Sequence, residues 1–253
     1  MHRSQRFGCL VYPLLLFVSF AASRLFAQDS TSAPQPSQPQ SQQQPENPQQ
    51  NQVHLAQEAQ ARIQALRKAR VARTIEDTYS HKYEVYGGGG YQRFRPGQHL
   101  QSINEYVWNS GFTAYVWPRI GLTGELRGNY GDAYTGQNIY AIFKPSISQY
   151  LAMAGPQYRI VRLEHVGVGA QVLVGVAKGI FNGNSAGFPG TLLGMWPNGS
   201  GVTVSAGIPI DFNLGPGLAV RLTPDDIVTT FGSATQVKNL GFTSGIVYRF
   251  GRR

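Results

Sequence analysis

The chain has 253 residues, one cysteine and a formal net charge of +9 at pH 7. This length allows one sizeable domain with appended segments. A single cysteine, Cys9, excludes an intramolecular disulfide and a thiolate metal site. The basic residues form no concentrated basic face, so the charge does not predict nucleic-acid binding.

Residues 1–27 have the pattern of an export signal. Arg3 and Arg6 form a basic start, residues 10–22 are largely apolar, and Ala27 ends a candidate cleavage site. An uncleaved membrane anchor is the alternative, but the apolar run is shorter than the roughly 20 residues that a spanning helix needs. We therefore predict a cleaved signal peptide.

Two further segments precede the main domain. Residues 28–52 are rich in Pro and Gln and contain almost no apolar side chain, which predicts a disordered linker. Residues 53–79 contain no Pro or Gly and are rich in helix formers, which predicts a helical periplasmic extension. Its apolar stripe is narrow, so a solvated helix is favoured over one that contacts a membrane or the cell wall.

From residue 80 onward, apolar and polar residues alternate with a period of two. In residues 121–130, Leu122 and Leu126 share one face of a strand, whereas Glu125 and Arg127 share the other. Strands of about ten residues with this alternation are typical of a transmembrane barrel. The predicted strands lie at about 83–92, 105–117, 120–130, 149–160, 163–176, 201–213, 217–226 and 240–250.

A soluble sandwich or lipocalin-like barrel would also alternate, with its apolar rows buried. Three features favour the membrane barrel. The first is a small set of charges of mixed sign, flanked by small residues, which suits a narrow interior of paired charges. These predicted lumen charges are Glu84, Glu125, Arg127, Arg159, Asp211, Arg221 and Arg249.

The second feature is a set of aromatic residues near the predicted strand ends, which would form two girdles at the membrane interfaces. These residues are Tyr91, Trp108, Trp117, Tyr130, Tyr150, Tyr158, Phe212, Tyr248 and Phe250. The third feature is that short and long connections alternate. Tight turns are predicted near 118–119, 161–162 and 215–216, and external loops at about 93–104, 131–148, 177–200 and 227–239. An even strand count places both termini in the periplasm.

Residues 80–253 resemble the eight-stranded barrels of the outer-membrane protein A transmembrane-domain type. The resemblance is carried by Gly155-Pro156-Gln157-Tyr158-Arg159, by Val220-Arg221-Leu222 and by the ending Gly245-Ile246-Val247-Tyr248-Arg249-Phe250. That ending also looks like the signal that the barrel-assembly machinery recognises, although Gly251-Arg252-Arg253 follow the aromatic residue. The resemblance implies an all-β, antiparallel up-and-down transmembrane barrel. Larger members add a peptidoglycan-binding domain, a function that we do not expect of this chain.

No residue pattern predicts catalytic chemistry. The histidines have no metal-ligand spacing, so we expect no metal site and no cofactor. The glycines at 87–90 are not followed by the residues of a phosphate-binding loop, and they suit a curved strand. In the predicted external loops, only His99, Asp132 and the edge residue Glu105 are candidates for a hydrolytic site.

The leading hypothesis is therefore a non-enzymatic outer-membrane barrel with a structural or surface-interaction role, in envelope integrity or adhesion. A small pore and a lipid-modifying enzyme are the alternatives. The expected partners are outer-membrane lipid, the barrel-assembly machinery through the last strand, and cell-wall or external surfaces. An eight-stranded barrel leaves an interior just wide enough for side chains, which argues against a large channel.

Overall fold

A computed structural model describes residues 48–231 and 234–252, with side chains from Leu55 to Phe231 and from Asn239 to Arg252. The predicted signal peptide and most of the predicted linker lie outside the described residues. Among the residues described, no helix is both long enough and apolar enough to cross a membrane.

The described chain begins with helix α1, Pro48–Tyr79. This helix starts within the segment predicted to be a linker and covers the whole of the predicted helical extension. Its side chains are exposed from Leu55 to Arg70, whereas Thr78 and Tyr79 are buried. The helix therefore contacts the rest of the protein through its carboxyl end.

Nine β elements follow α1. They are β1 (His81–Phe94), β2 (Ile103–Tyr115), β3 (Ile120–Asp132), β4 (Ser146–Arg162), β5 (Val166–Gly183), β6 (Gly199–Gly207), β7 (Ile210–Gly215), β8 (Leu218–Phe231) and β9 (Ala234–Arg252). Each pairs antiparallel with its neighbours, and β1 pairs with β9. The sheet thus closes on itself, which leaves no free edge.

β6 and β7 are two parts of one barrel strand. Both pair with β5 on one side and with β8 on the other. The ladder is interrupted at Ile208 and Pro209, because proline has no backbone N–H to donate. The carbonyl oxygen of Pro209 still accepts a bond of 2.8 Å from the Gly169 amide. The predicted fold, an eight-stranded antiparallel up-and-down barrel, is confirmed.

The connections differ at the two ends of the barrel. The turns at 116–119, 163–165 and 216–217 are short and lie at the end where α1 enters. The connections at 95–102, 133–145 and 184–198 lie at the opposite end, and the last contains a short 3₁₀ helix, Gly190–Leu193.

The prediction of an external loop at 227–239 is wrong. β8 continues to Phe231 and β9 starts at Ala234, and these two residues pair. Alternation continues through this segment, because Ile227, Thr229 and Phe231 point inward. The strands of this hairpin extend beyond the top of β1, so polar residues here do not mark the end of the sheet.

The distribution of side chains is inverted relative to a soluble barrel. The outer wall carries large exposed apolar residues, such as Leu122, Leu126, Val174 and Ile246. The interior holds buried charges and amides. All nine aromatic residues of the predicted girdles are exposed, eight of them on the outer wall and Trp117 in the turn after β2. An apolar exterior around a polar interior is the arrangement that a bilayer requires of a spanning barrel.

Candidate functional site

The interior of the barrel is the first candidate site, because every strand directs alternate side chains into it. The structure places all seven of the predicted lumen charges there. Glu84 is 0% exposed and Asp211, the most exposed of the seven, is 8% exposed. They separate into two clusters, which we call the lower and middle clusters, and each contains a residue that the sequence did not single out.

The lower cluster, nearest α1, is centred on Glu84. Its Oε1 atom accepts bonds from Arg159 Nη2 at 2.6 Å and from Arg249 Nε at 2.9 Å. Its Oε2 atom accepts one from Arg221 Nη2 at 2.8 Å. Asp211 accepts bonds from Arg221 and Arg249, at 2.6 Å from each. Two carboxylates thus hold three guanidinium groups that come from three different strands.

Tyr79 closes the lower end of this cluster. Its ring lies 5.3 Å from the guanidinium carbon of Arg159, at a cation–π distance. Its hydroxyl donates to the carbonyl oxygen of Leu163 at 3.2 Å and accepts a bond from Asn213 Nδ2, also at 3.2 Å. The last residue of α1 is therefore inserted into the mouth of the barrel. Sequence analysis missed this contact, since alternation says nothing about a helix end.

The middle cluster is centred on Arg127. Its Nη2 atom donates to Glu125 Oε1 at 2.8 Å and to Asp225 Oδ2 at 2.5 Å. Tyr86 donates its hydroxyl to Glu125 Oε2 at 2.7 Å. The Tyr86 ring also lies 5.0 Å from the guanidinium carbon of Arg221, which joins the two clusters. The sequence does not single out Asp225, because the strand predicted at about 217–226 ends next to it.

The upper part of the lumen is apolar, whereas the sequence predicts an interior of paired charges and small residues. Phe94 on β1, Phe181 on β5 and Phe231 on β8 meet there. The Phe94 and Phe181 ring centroids are 6.1 Å apart, and those of Phe181 and Phe231 are 5.1 Å apart. Strands β1 and β5 lie on opposite sides of an eight-stranded barrel, so this contact spans the lumen.

The three connections at the upper end cover these rings. The connections after β3 and β5 contribute buried residues to the same apolar cluster, namely Ala133, Ile142, Leu193 and Met195, and Leu100 of the connection after β1 packs against it. Trp196 Nε1 donates to the carbonyl oxygen of Arg95 at 2.8 Å, which ties the connection after β5 to the one after β1. Asn138 accepts bonds from the amides of Tyr140 and Ile142, which fixes the connection after β3. Hydrogen bonds within and between the connections therefore stabilise the upper surface.

This upper surface also exposes large apolar side chains. Ile139 is 91% exposed, and Tyr134, Phe143, Phe188 and Leu192 are also exposed. Tyr140 and Phe188 bring two connections together, with ring centroids 4.7 Å apart. Exposed apolar residues gathered on an ordered surface are typical of interaction sites. We call these five exposed residues the loop patch.

The candidates for hydrolytic chemistry are not brought together. His99 is exposed in the connection after β1, and Asp132 is exposed at the end of β3. Glu105 lies inside the barrel, where both of its carboxylate oxygens accept bonds from Gln149 Nε2 at 2.8 and 2.9 Å. In the described part of the chain, no group of three or more His, Cys, Asp or Glu residues could hold a metal ion.

Comparison with solved structures finds barrels of the same kind. The attachment invasion locus protein Ail of Yersinia pestis is 17% identical, with 68% of this chain and 99% of that chain covered and a TM-score of 0.43. Neisserial surface protein A is 10% identical over 66% of this chain and 97% of its own, with a TM-score of 0.46.

The outer-membrane protein OprG from Pseudomonas aeruginosa is 13% identical over 68% of this chain and 98% of its own, also with a TM-score of 0.46. At these identities, the comparisons concern the fold alone. No protein-family model matches the sequence, and no curated protein matches it.

Proposed function

We propose that this protein is a non-enzymatic outer-membrane barrel that does not conduct and whose external loops provide a surface for interaction. The observation that carries the proposal is the contact of Phe94, Phe181 and Phe231 across the lumen. Below this contact the interior is occupied by the two charge clusters, and Tyr79 fills the lower mouth. A lumen occupied in this way supports a structural role and argues against a small pore.

The proposed location is the outer membrane, with both termini in the periplasm. The long connections then face outward, the short turns face the periplasm, and α1 extends into the periplasm. Cell fractionation with a gel assay of heat-modifiable mobility tests this location. A detergent-resistant folded species in the outer-membrane fraction is expected, and a soluble periplasmic species would contradict the proposal.

The closed lumen is tested by planar-bilayer recordings on the full, refolded chain, with a general porin as the positive control. We expect no reproducible single-channel currents at porin-like conductance. Regular openings of constant size would refute the closed lumen and favour the small pore.

The loop patch supports the interaction role, and its test is adherence of bacteria that express the protein to polystyrene and to cultured epithelial cells. The double substitution Ile139→Ser and Phe143→Ser should lower adherence, because it removes two exposed apolar side chains from the patch. The matched control is Leu55→Ser with Leu66→Ser on α1. Equal adherence of the wild type and both variants would contradict the interaction role. Envelope integrity would then be the remaining role, and the detergent sensitivity of a deletion strain measures it.

A further inference from the structure

A groove of about 310 Å³ runs over β3, β4 and β5 on the outer wall of the barrel. Its floor is formed by Leu126, Ala152 and Val176, which are partners in register across the three strands. All three side chains face outward. Because Ala152 is shorter than the residues on either side, the floor is a furrow with apolar walls.

Aromatic side chains that are hydrogen-bonded to one another border one side of the groove. Trp108 Nε1 donates to the Tyr130 hydroxyl at 3.4 Å, and that hydroxyl donates to the Tyr150 hydroxyl at 3.3 Å. The Tyr130 and Tyr150 rings meet edge to face, with centroids 5.9 Å apart. Tryptophan and tyrosine favour the membrane interface, so this border marks the headgroup level.

Lys178 lies at the upper end of the groove. It is the register partner of Tyr150 on β4 and of Ser200 on β6, and its side chain is exposed on the outer wall. No described residue forms an ion pair or a hydrogen bond with its ammonium group. A lysine stem can lie along an apolar surface while its charge stays at the interface, where it attracts anionic headgroups.

We propose that this groove binds a phosphorylated lipid of the outer leaflet, with one acyl chain in the furrow and a phosphate at Lys178. The inference rests on the proposed outer-membrane location and orientation. The lining residues Tyr150 and Lys178 lie near the ends of β4 and β5 that carry the long connections, which selects the outer leaflet. The apolar furrow matches an acyl chain, and the unpartnered ammonium matches a phosphate in charge.

Native mass spectrometry of the full chain, titrated with lipid A in detergent, tests the site. Lys178→Gln should weaken lipid A binding about fivefold, the effect of one basic residue near an anionic surface. Enzymatically dephosphorylated lipid A should bind the wild type about fivefold more weakly too, and Lys178→Gln should cause no further loss with that ligand. Ala152→Phe fills the furrow, so it should weaken binding although Lys178 is intact.

The matched control is Lys144→Gln, which removes the same charge from the exposed connection after β3. It should bind lipid A as the wild type does. Equal losses for both lysine variants, or no preference of the wild type for the phosphorylated ligand, would refute the site. Heat-modifiable mobility shows that each variant is folded. If the proposed location is wrong, no folded protein will be found in the outer membrane. If only the proposed site is wrong, the protein will be folded there but its lipid binding will not depend on Lys178.

Discussion

The substitution Glu84→Gln tests the charge network most directly, because its carboxylate accepts bonds from three guanidinium groups. After the substitution, Arg221 and Arg249 still pair with Asp211. Arg159 keeps the Tyr79 carbonyl oxygen at 3.4 Å and the faces of the Tyr79 and Tyr115 rings, but no carboxylate. One guanidinium, not three, therefore loses its carboxylate.

Breaking one buried ion pair by removing a single partner costs about 3–5 kcal/mol. We expect Glu84→Gln to lower the free energy of unfolding by that amount, measured by urea titration of the protein refolded in lipid vesicles. The control is Glu164→Gln, in the turn before β5, whose only ion pair with a described residue is a 3.8 Å contact with the exposed His165. Its effect should stay within about 0.5 kcal/mol.

A double variant separates the effect of the unpaired charge from the effect of the changed side-chain shape. Glu84→Gln combined with Arg159→Gln removes the uncompensated guanidinium, so the double variant should be less destabilised than the sum of the two single variants by about 1 kcal/mol or more. If Glu84→Gln unfolds at the same urea concentration as the wild type, the ion pairs at Glu84 do not stabilise the barrel and the reasoning is wrong.

Three further substitutions, the last with a matched control on the outer wall, test other parts of the interior. Tyr79→Phe removes the hydroxyl that bonds the β4–β5 turn and should cost about 0.5–1.5 kcal/mol in the same urea titration. Arg127→Met leaves two buried carboxylates without their shared guanidinium and should cost about 3–5 kcal/mol; retention of full heat resistance on gels would count against the middle cluster. Gly155→Ala would place the new Cβ atom against the carbonyl oxygen of Val172, so this variant should not fold. In the control Gly124→Ala, the new Cβ atom has open space around it, so this variant should fold normally.

The eight strands were predictable because alternation is a local property of the sequence. Each inward residue is two positions from the next, so a run of a few residues already identifies both faces. The lengths of the strands were less predictable. β4 and β5 extend to Ser146 and Gly183, beyond the predicted limits of 149 and 176. A barrel strand can continue past the bilayer, where polar side chains no longer conflict with pairing.

The contents of the lumen were predictable only in part. The sequence indicates which side chains face inward, and the structure places the seven predicted charges there. Which of them meet depends on the stagger between strands that are far apart in sequence, such as β1 and β8. The apolar upper lumen was missed for a related reason: Leu151 and Met153 alternate with Tyr150 and Ala152, so both faces of β4 look apolar.

The two charge clusters are complementary, because together they carry no net charge. The lower cluster pairs three guanidinium groups with two carboxylates, and the middle cluster pairs one guanidinium with two carboxylates. Neither cluster is neutral alone, but together they contain four charges of each sign. Tyr86 lies between them, with its hydroxyl on Glu125 and its ring beside Arg221. Because an excess charge is costly in a narrow interior, the two clusters stabilise the barrel as one unit.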